Sequence, residues 1–186
     1  MPTYLFIRIN SVHLQTDMIN VQSLIQLKAF ARIDGLRLAL LWIVSFACIM
    51  YLPGTVWGSL LMFATPFVMA WLLIKFRNNA LYGVISYRRA FAYCMCMVFY
   101  GSILFALAQV LYFMFIDHGR FMQIMLNSFA LLQTVYKQQG IDTKSIEEAI
   151  TALSGASPIE ITLMFMLQNI CIGLIVSAVI GAIGKK

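Results

Sequence analysis

With 186 residues, 62% of them hydrophobic and only 11% charged, the chain lies far from ordinary globular domains, which are about half apolar and about a quarter charged. A soluble core of this length cannot hide such an excess, so acyl chains must be the solvent, with room for about four spans and no separate soluble domain. The formal charge of +6 flanks apolar runs and does not gather on one soluble face, which marks cytoplasmic loops and argues against nucleic acid as a partner.

Residues 1–33 read as a cytoplasmic lead-in. No apolar h-region opens them, so no cleavable signal peptide is expected, and residues 1–17 carry no periodicity, which makes Met18 a candidate start. Val21, Leu24, Ile25, Leu27 and Phe30 recur at mostly helical spacing, the pattern of a short amphipathic helix on the inner face. The rest, residues 34–186, reads as a single four-helix membrane domain.

Between Arg37 and Lys75 no residue is charged. One helix of that length would extend about 55 Å, nearly twice a hydrocarbon core of about 30 Å, so the chain must turn. Pro53-Gly54 supplies the turn, giving span one over 34–52 and span two over 57–76. Tyr51 and Trp57 then fall in the outer aromatic belt and Trp42 and Trp71 nearer the inner one. Pro66 predicts a kink in span two. Both spans are short, and a re-entrant hairpin remains the alternative reading.

Lys75, Arg77, Arg88 and Arg89 make a basic loop without an acid, and residues 90–116 are again uncharged, which gives span three. The stretch 117–156 is the one substantial loop. Phe121, Met122, Met125, Phe129, Leu132 and Tyr136 form one helical stripe, and Ile146, Ala149, Ile150 and Leu153 a second. Gly140 separates them, and Ser145 with Glu148 has the spacing of a capping box. An amphipathic helical hairpin is expected here, resting on the outer bilayer surface or capping the bundle. Ser157-Pro158-Ile159-Glu160 is a second box with proline at the first helical position, and span four follows over 161–183. The fold class is therefore all-α, an integral membrane protein of four transmembrane helices with a hairpin between spans three and four.

Charge sets the orientation. Arg8, Lys28, Arg32, Arg37, Lys75, Arg77, Arg88, Arg89, Lys185 and Lys186 fall at the termini or the 75–89 loop, whereas residues 117–160 hold only Arg120, Lys137 and Lys144 against five acids. Both termini are expected in the cytoplasm and the 117–157 loop in the periplasm, across a bacterial inner membrane.

Chemistry is sparse. Cys48, Cys94, Cys96 and Cys171 all lie in apolar runs without ligand-like spacing, so neither metal nor disulfide is expected, and no cofactor motif is present. Gly173, Ser177 and Gly181 recur every four residues on one face of span four. Such small residues admit a second helix closely, either within the monomer or at a homodimer or partner interface. Gln109, Gln168 and Asn169 are the strongest polar residues at membrane depth. Gln109 and Gln168 count to similar levels, which predicts an interhelical amide bond, with a polar pathway as the other reading. No acid, base or histidine falls mid-span by this division. Asp117, His118 and Glu160 form no convergent acid–base site.

Several stretches carry a resemblance. Ile85-Ser86-Tyr87 with Ala90-Phe91 opens span three, and Phe115-Ile116-Asp117 closes it. Ser145-Ile146-Glu147-Glu148-Ala149-Ile150, Ser157-Pro158 and a glycine-marked last span ending in Lys185-Lys186 follow. Over residues 34–186 the chain resembles small four-span membrane proteins of the Bacteroidota grouped as domain of unknown function forty-one ninety-nine. The resemblance implies an architecture and no established activity, and it points to a glycosyltransferase as a neighbouring partner. Where those proteins carry small residues early in span three, this chain has Cys94 and Cys96. The sequence thus leads to a non-enzymatic accessory or scaffold subunit of a membrane assembly. A small dimeric channel or lipid/solute transporter is the alternative, and a membrane enzyme on lipid-linked substrates the weaker one.

Overall fold

A computed structural model of the protein describes the backbone of residues 2–185 and the side chains of residues 21–185; the expectations placed on Arg8, Met18 and Lys186 lie outside the described side chains. The described chain is all helix, in the order α1 (Pro2–Tyr51), α2 (Trp57–Ala80), α3 (Tyr87–Phe115), α4 (Arg120–Gln138), α5 (Lys144–Gly155) and α6 (Pro158–Gly184). Four of these, α2, α3, α6 and the part of α1 from Val21 to Tyr51, are long and apolar enough to cross a membrane.

The lead-in is not a separate helix. No proline interrupts residues 21–51, and the helix runs unbroken through them. The buried stripe also differs from the expected one. Of Val21, Leu24, Ile25, Leu27 and Phe30 only Leu27 is buried, and it continues as Ala31, Asp34, Leu38 and Trp42, steps of three and four residues that keep to one helix face. The apolar residues left over face outward, as they do on a helix surrounded by lipid.

The chain reverses at Gly54, whose φ of +85° is a conformation glycine adopts at no steric cost. It returns as α2. With 24 residues, α2 is about 36 Å long at 1.5 Å per residue, enough to cross about 30 Å of hydrocarbon. Ser45 Oγ donates to the Gly58 carbonyl at 2.7 Å, and Trp42 Nε1 donates to Thr65 Oγ1 at 3.1 Å, fastening α1 to α2.

Helix α3 runs parallel to α1 and packs along it. An added Cβ on Gly35 would lie 2.9 Å from the Met97 carbonyl oxygen and from Tyr100 Cβ, and one on Gly101 would lie 3.2 Å from the Gly35 carbonyl oxygen. Two glycines thus let the backbones nearly touch. Further along, Phe46 meets Phe105, Tyr112 and Phe113 edge-on, with ring centroids 5.1–6.0 Å apart, the favoured geometry for aromatic pairs. On its other side α3 packs antiparallel against α6. It is the central helix: 44% of its apolar window is buried, against 17% for α6.

The hairpin caps one end of the bundle. Phe121 at the root of α4 is buried against Phe113 and Phe165 at 5.1 and 5.9 Å, and Arg120 lies 4.8 Å from the centre of the Tyr51 ring. The Ser145–Glu148 capping box does not form. Helix α5 begins two residues earlier, with Thr143 at the N-cap, Asp142 Oδ1 accepting from the Lys144 amide at 3.0 Å and Thr143 Oγ1 donating to Glu147. The competing Asp142 side chain meets the free amides first. The box of Ser157 and Glu160, with Pro158 at the helix start, forms complete.

Candidate functional site: an apolar cleft and a buried carboxylate

The small-residue stripe of α6 faces the chain's own α3. An added Cβ on Gly173 would collide with Val98 Cγ1 at 2.4 Å, one on Gly181 would lie 3.2 Å from the Phe91 amide, and Ser177 is wholly buried. Within the monomer this surface is already covered.

The amide bond between Gln109 and Gln168 is absent. Gln109 is 2% exposed and its Oε1 has no partner, while Gln168 faces outward. The register explains the miss. Gly181 opposite Phe91 and Gly173 opposite Val98 continue to bring Gln109 level with Thr162, roughly 9 Å along the axis from Gln168. Helix α6 starts at Pro158, earlier than the residue 161 from which equal depth is counted. Ser102 Oγ and Ser177 Oγ are likewise buried without partners. These polar atoms are sealed by packing and line no open polar route.

Asn169 lies elsewhere. Helix α2 touches α6 near one end, where Leu73 meets Gly184 and the Arg77 guanidinium donates to the Gly184 carbonyl at 3.0 Å, capping the last turn of α6. Beyond Met69 the two helices leave a cavity of about 520 Å³ between them, lined by Trp42, Phe63, Pro66, Asn169, Ile172 and Gly173 among others. Pro66 lacks an amide hydrogen, so the carbonyl one turn before it loses its helical donor at this wall. The lining is overwhelmingly apolar. Its polar atoms come from Ser59, Thr65 and Asn169, and the Thr65 hydroxyl accepts from Trp42. Asn169 thus adds one side-chain amide to an otherwise apolar wall, the usual composition of a binding cleft.

A second feature is an acid buried within the helix bundle near its basic end. Asp34 is 4% exposed, about 25 Å along α1 from Tyr51. One carboxylate oxygen accepts from the Tyr93 hydroxyl and the other from the Arg37 guanidinium. The Tyr93 ring stacks on Phe76, with centroids 4.2 Å apart and planes 2° from parallel, so a single residue of α3 grips α1 by its hydroxyl and α2 by its face. The signal was in the sequence: Asp34 is the lone acid between residues 18 and 116, and Arg37 follows it at i+3. Placing a helix start at residue 34 disguised it as a boundary charge.

The acids at the hairpin end have structural partners. Asp117 accepts from the Gly119 and Phe121 amides at 3.2 and 2.9 Å, Glu160 closes its capping box, and His118 holds a φ of +44° in the turn. No group of three or more His, Cys, Asp or Glu able to hold a metal occurs among the described residues.

The profile of a family described as protein of unknown function (DUF4199) matches residues 34–186. No curated protein and no solved structure matches the chain.

Proposed function

The chain belongs to the DUF4199 family of proteins of unknown function, and from that premise we propose that it is a non-enzymatic accessory or scaffold subunit of a bacterial inner-membrane assembly. The observation that carries this reading is the cleft between α2 and α6, apolar along its walls and bearing a single amide at Asn169. Lipid tails are as apolar as leucine, so helices associate in membranes through shape and through isolated polar groups. An apolar groove with one amide meets both needs. The self-covered α6 stripe leaves this flank as the place for a partner, which the resemblance extends to a glycosyltransferase, with a second copy of the chain as the other candidate.

The orientation of the proposal follows charge. Among the described side chains Lys28, Arg32, Arg37, Lys75, Arg77, Arg88, Arg89 and Lys185 share one end of the bundle with a single acid, Asp34, while the hairpin end carries five acids and three cations. The basic end is assigned to the cytoplasm and the α4–α5 hairpin to the periplasm.

The test is native electrophoresis of membranes extracted in mild detergent. The chain should migrate in a complex heavier than itself, and filling the cleft with Gly173-adjacent bulk, as in Ile172→Trp, should release it while the monomer stays folded. Migration at monomer size in every mild detergent would remove the proposal. One observation favours the transporter alternative, the buried Asp34, because ionisable groups inside membranes often serve ion pathways. Both its oxygens are engaged, however. Proteoliposome flux abolished by Asp34→Asn would revive that alternative.

A further inference from the structure

At the basic end α1 and α2 enclose a small pocket of about 130 Å³, walled by Phe30 and Phe76 and presenting Asp34, Arg37, Lys75 and Asn79. We propose that this pocket binds the phosphate of an anionic phospholipid, with Arg37, Lys75 and Asn79 as its donors.

Charge and donor supply both point there. Arg37 and Lys75 against Asp34 leave the pocket at +1, the complement of a singly charged phosphodiester. Asp34 is turned inward, with its oxygens held by Tyr93 and Arg37, so it neutralises part of the guanidinium without offering the ligand a bare carboxylate. A guanidinium has five N–H donors and an ammonium three. Asp34 occupies one of Arg37's, and the Lys75 ammonium sits 5.2 Å from the centre of the Trp71 ring, a contact that consumes no N–H. Asn79 is exposed and adds an amide. The neighbouring Arg77 lies on the α6 side of α2, where it donates to the Gly184 carbonyl, and is not part of the site.

The surroundings select a lipid over a free ion. In the pocket wall Ile33 is more than half exposed, as are Leu40 one turn from Arg37 and Trp71 one turn from Lys75, a surface that acyl chains cover. A head group seated between Arg37 and Lys75 therefore has its tails beside apolar side chains. Basic pockets between transmembrane helices on the cytoplasmic side suit acidic head groups. Loop cations that only mark orientation need no such walls.

The experiment is native mass spectrometry of the full chain in detergent, titrated with phosphatidylglycerol, with phosphatidylcholine and inorganic phosphate as separate arms. Phosphatidylglycerol should bind in a discrete step. Lys75→Gln should weaken it about fivefold, the loss expected for one cation near an acidic lipid, and Asn79→Ala should weaken it further. Both residues are exposed, so the variants should keep the wild-type elution volume. Arg88→Gln removes the same charge from the first turn of α3, outside the pocket, and should change affinity less than twofold. An equal loss in Arg88→Gln would reduce the effect to diffuse attraction and overturn the site. Equal binding of phosphatidylcholine, or displacement of the lipid by millimolar inorganic phosphate, would overturn it as well.

Discussion

Helix α6 has two flanks, and they are built differently. Toward α3 it presents Gly173, Ser177 and Gly181, and the seam is closed to contact distance; toward α2 it presents Ile172, Val176 and Asn169, and the seam stays open as a cleft of about 520 Å³. The same helix and the same solvent give both results. In lipid no bulk hydrophobic force draws helices together, so contact depends on how near two backbones can come. Glycine and serine allow it on one side. Phe63, Ile172 and the proline wall hold it off on the other, until Gly184 at the basic end lets α2 back in.

That contrast breaks most sharply at the glycines of the closed seams. In Gly35→Val the new side chain meets a backbone carbonyl that cannot turn aside, and overpacking of this kind costs about 3 kcal/mol. Denaturation in mixed micelles should show the loss, and a variant as stable as the parent would mean α1 and α3 are not so close. Next comes Asp34→Ala, which leaves the Tyr93 hydroxyl buried without an acceptor and should cost about 2 kcal/mol, read in the same titration. Asp34→Asn should recover most of it. Gln109→Leu should act with the opposite sign. It removes a buried amide whose Oε1 has no partner, and a neutral result or a gain of up to about 1 kcal/mol is expected; a clear loss would reveal a bond to Gln109 that this packing lacks. Smallest is Phe63→Ala on the open flank. The side chain is 77% exposed, and stability should stay within about 0.5 kcal/mol, while the mobility of the native complex shifts.

Much of the architecture was legible in the sequence because solvent dictates it. Uncharged runs long enough to cross, Pro53-Gly54 and the Ser157–Glu160 box fixed α2, α3 and α6 to within a few residues. Helix α1 was misjudged at its start, since charge at Lys28, Arg32 and Asp34 resembles a membrane boundary whether or not the helix stops there. Residue spacing found the α6 stripe but not its mate, because facing partners depend on crossing geometry that one helix does not encode. For the same reason Gly35 and Gly101, 66 positions apart in the chain, gave no local sign of meeting. Gln109 and Gln168 failed by register: an offset of six residues moves a side chain about 9 Å along the helix and onto another face. Asn169 was singled out for its polarity, and only the splay of α2 from α6 shows what space it faces.

The claim on which the account turns is that the protein works through its open flank and not through a pore in its core. A photoreactive residue placed at Phe63 or Ile172, inside the cleft, tests it in intact membranes against the same residue at Ile175, on the outward face of α6. The account predicts one protein adduct of fixed mass from the cleft positions, lost when Asn169 is replaced by leucine, and lipid adducts alone from Ile175. Lipid adducts alone from all three positions would contradict it.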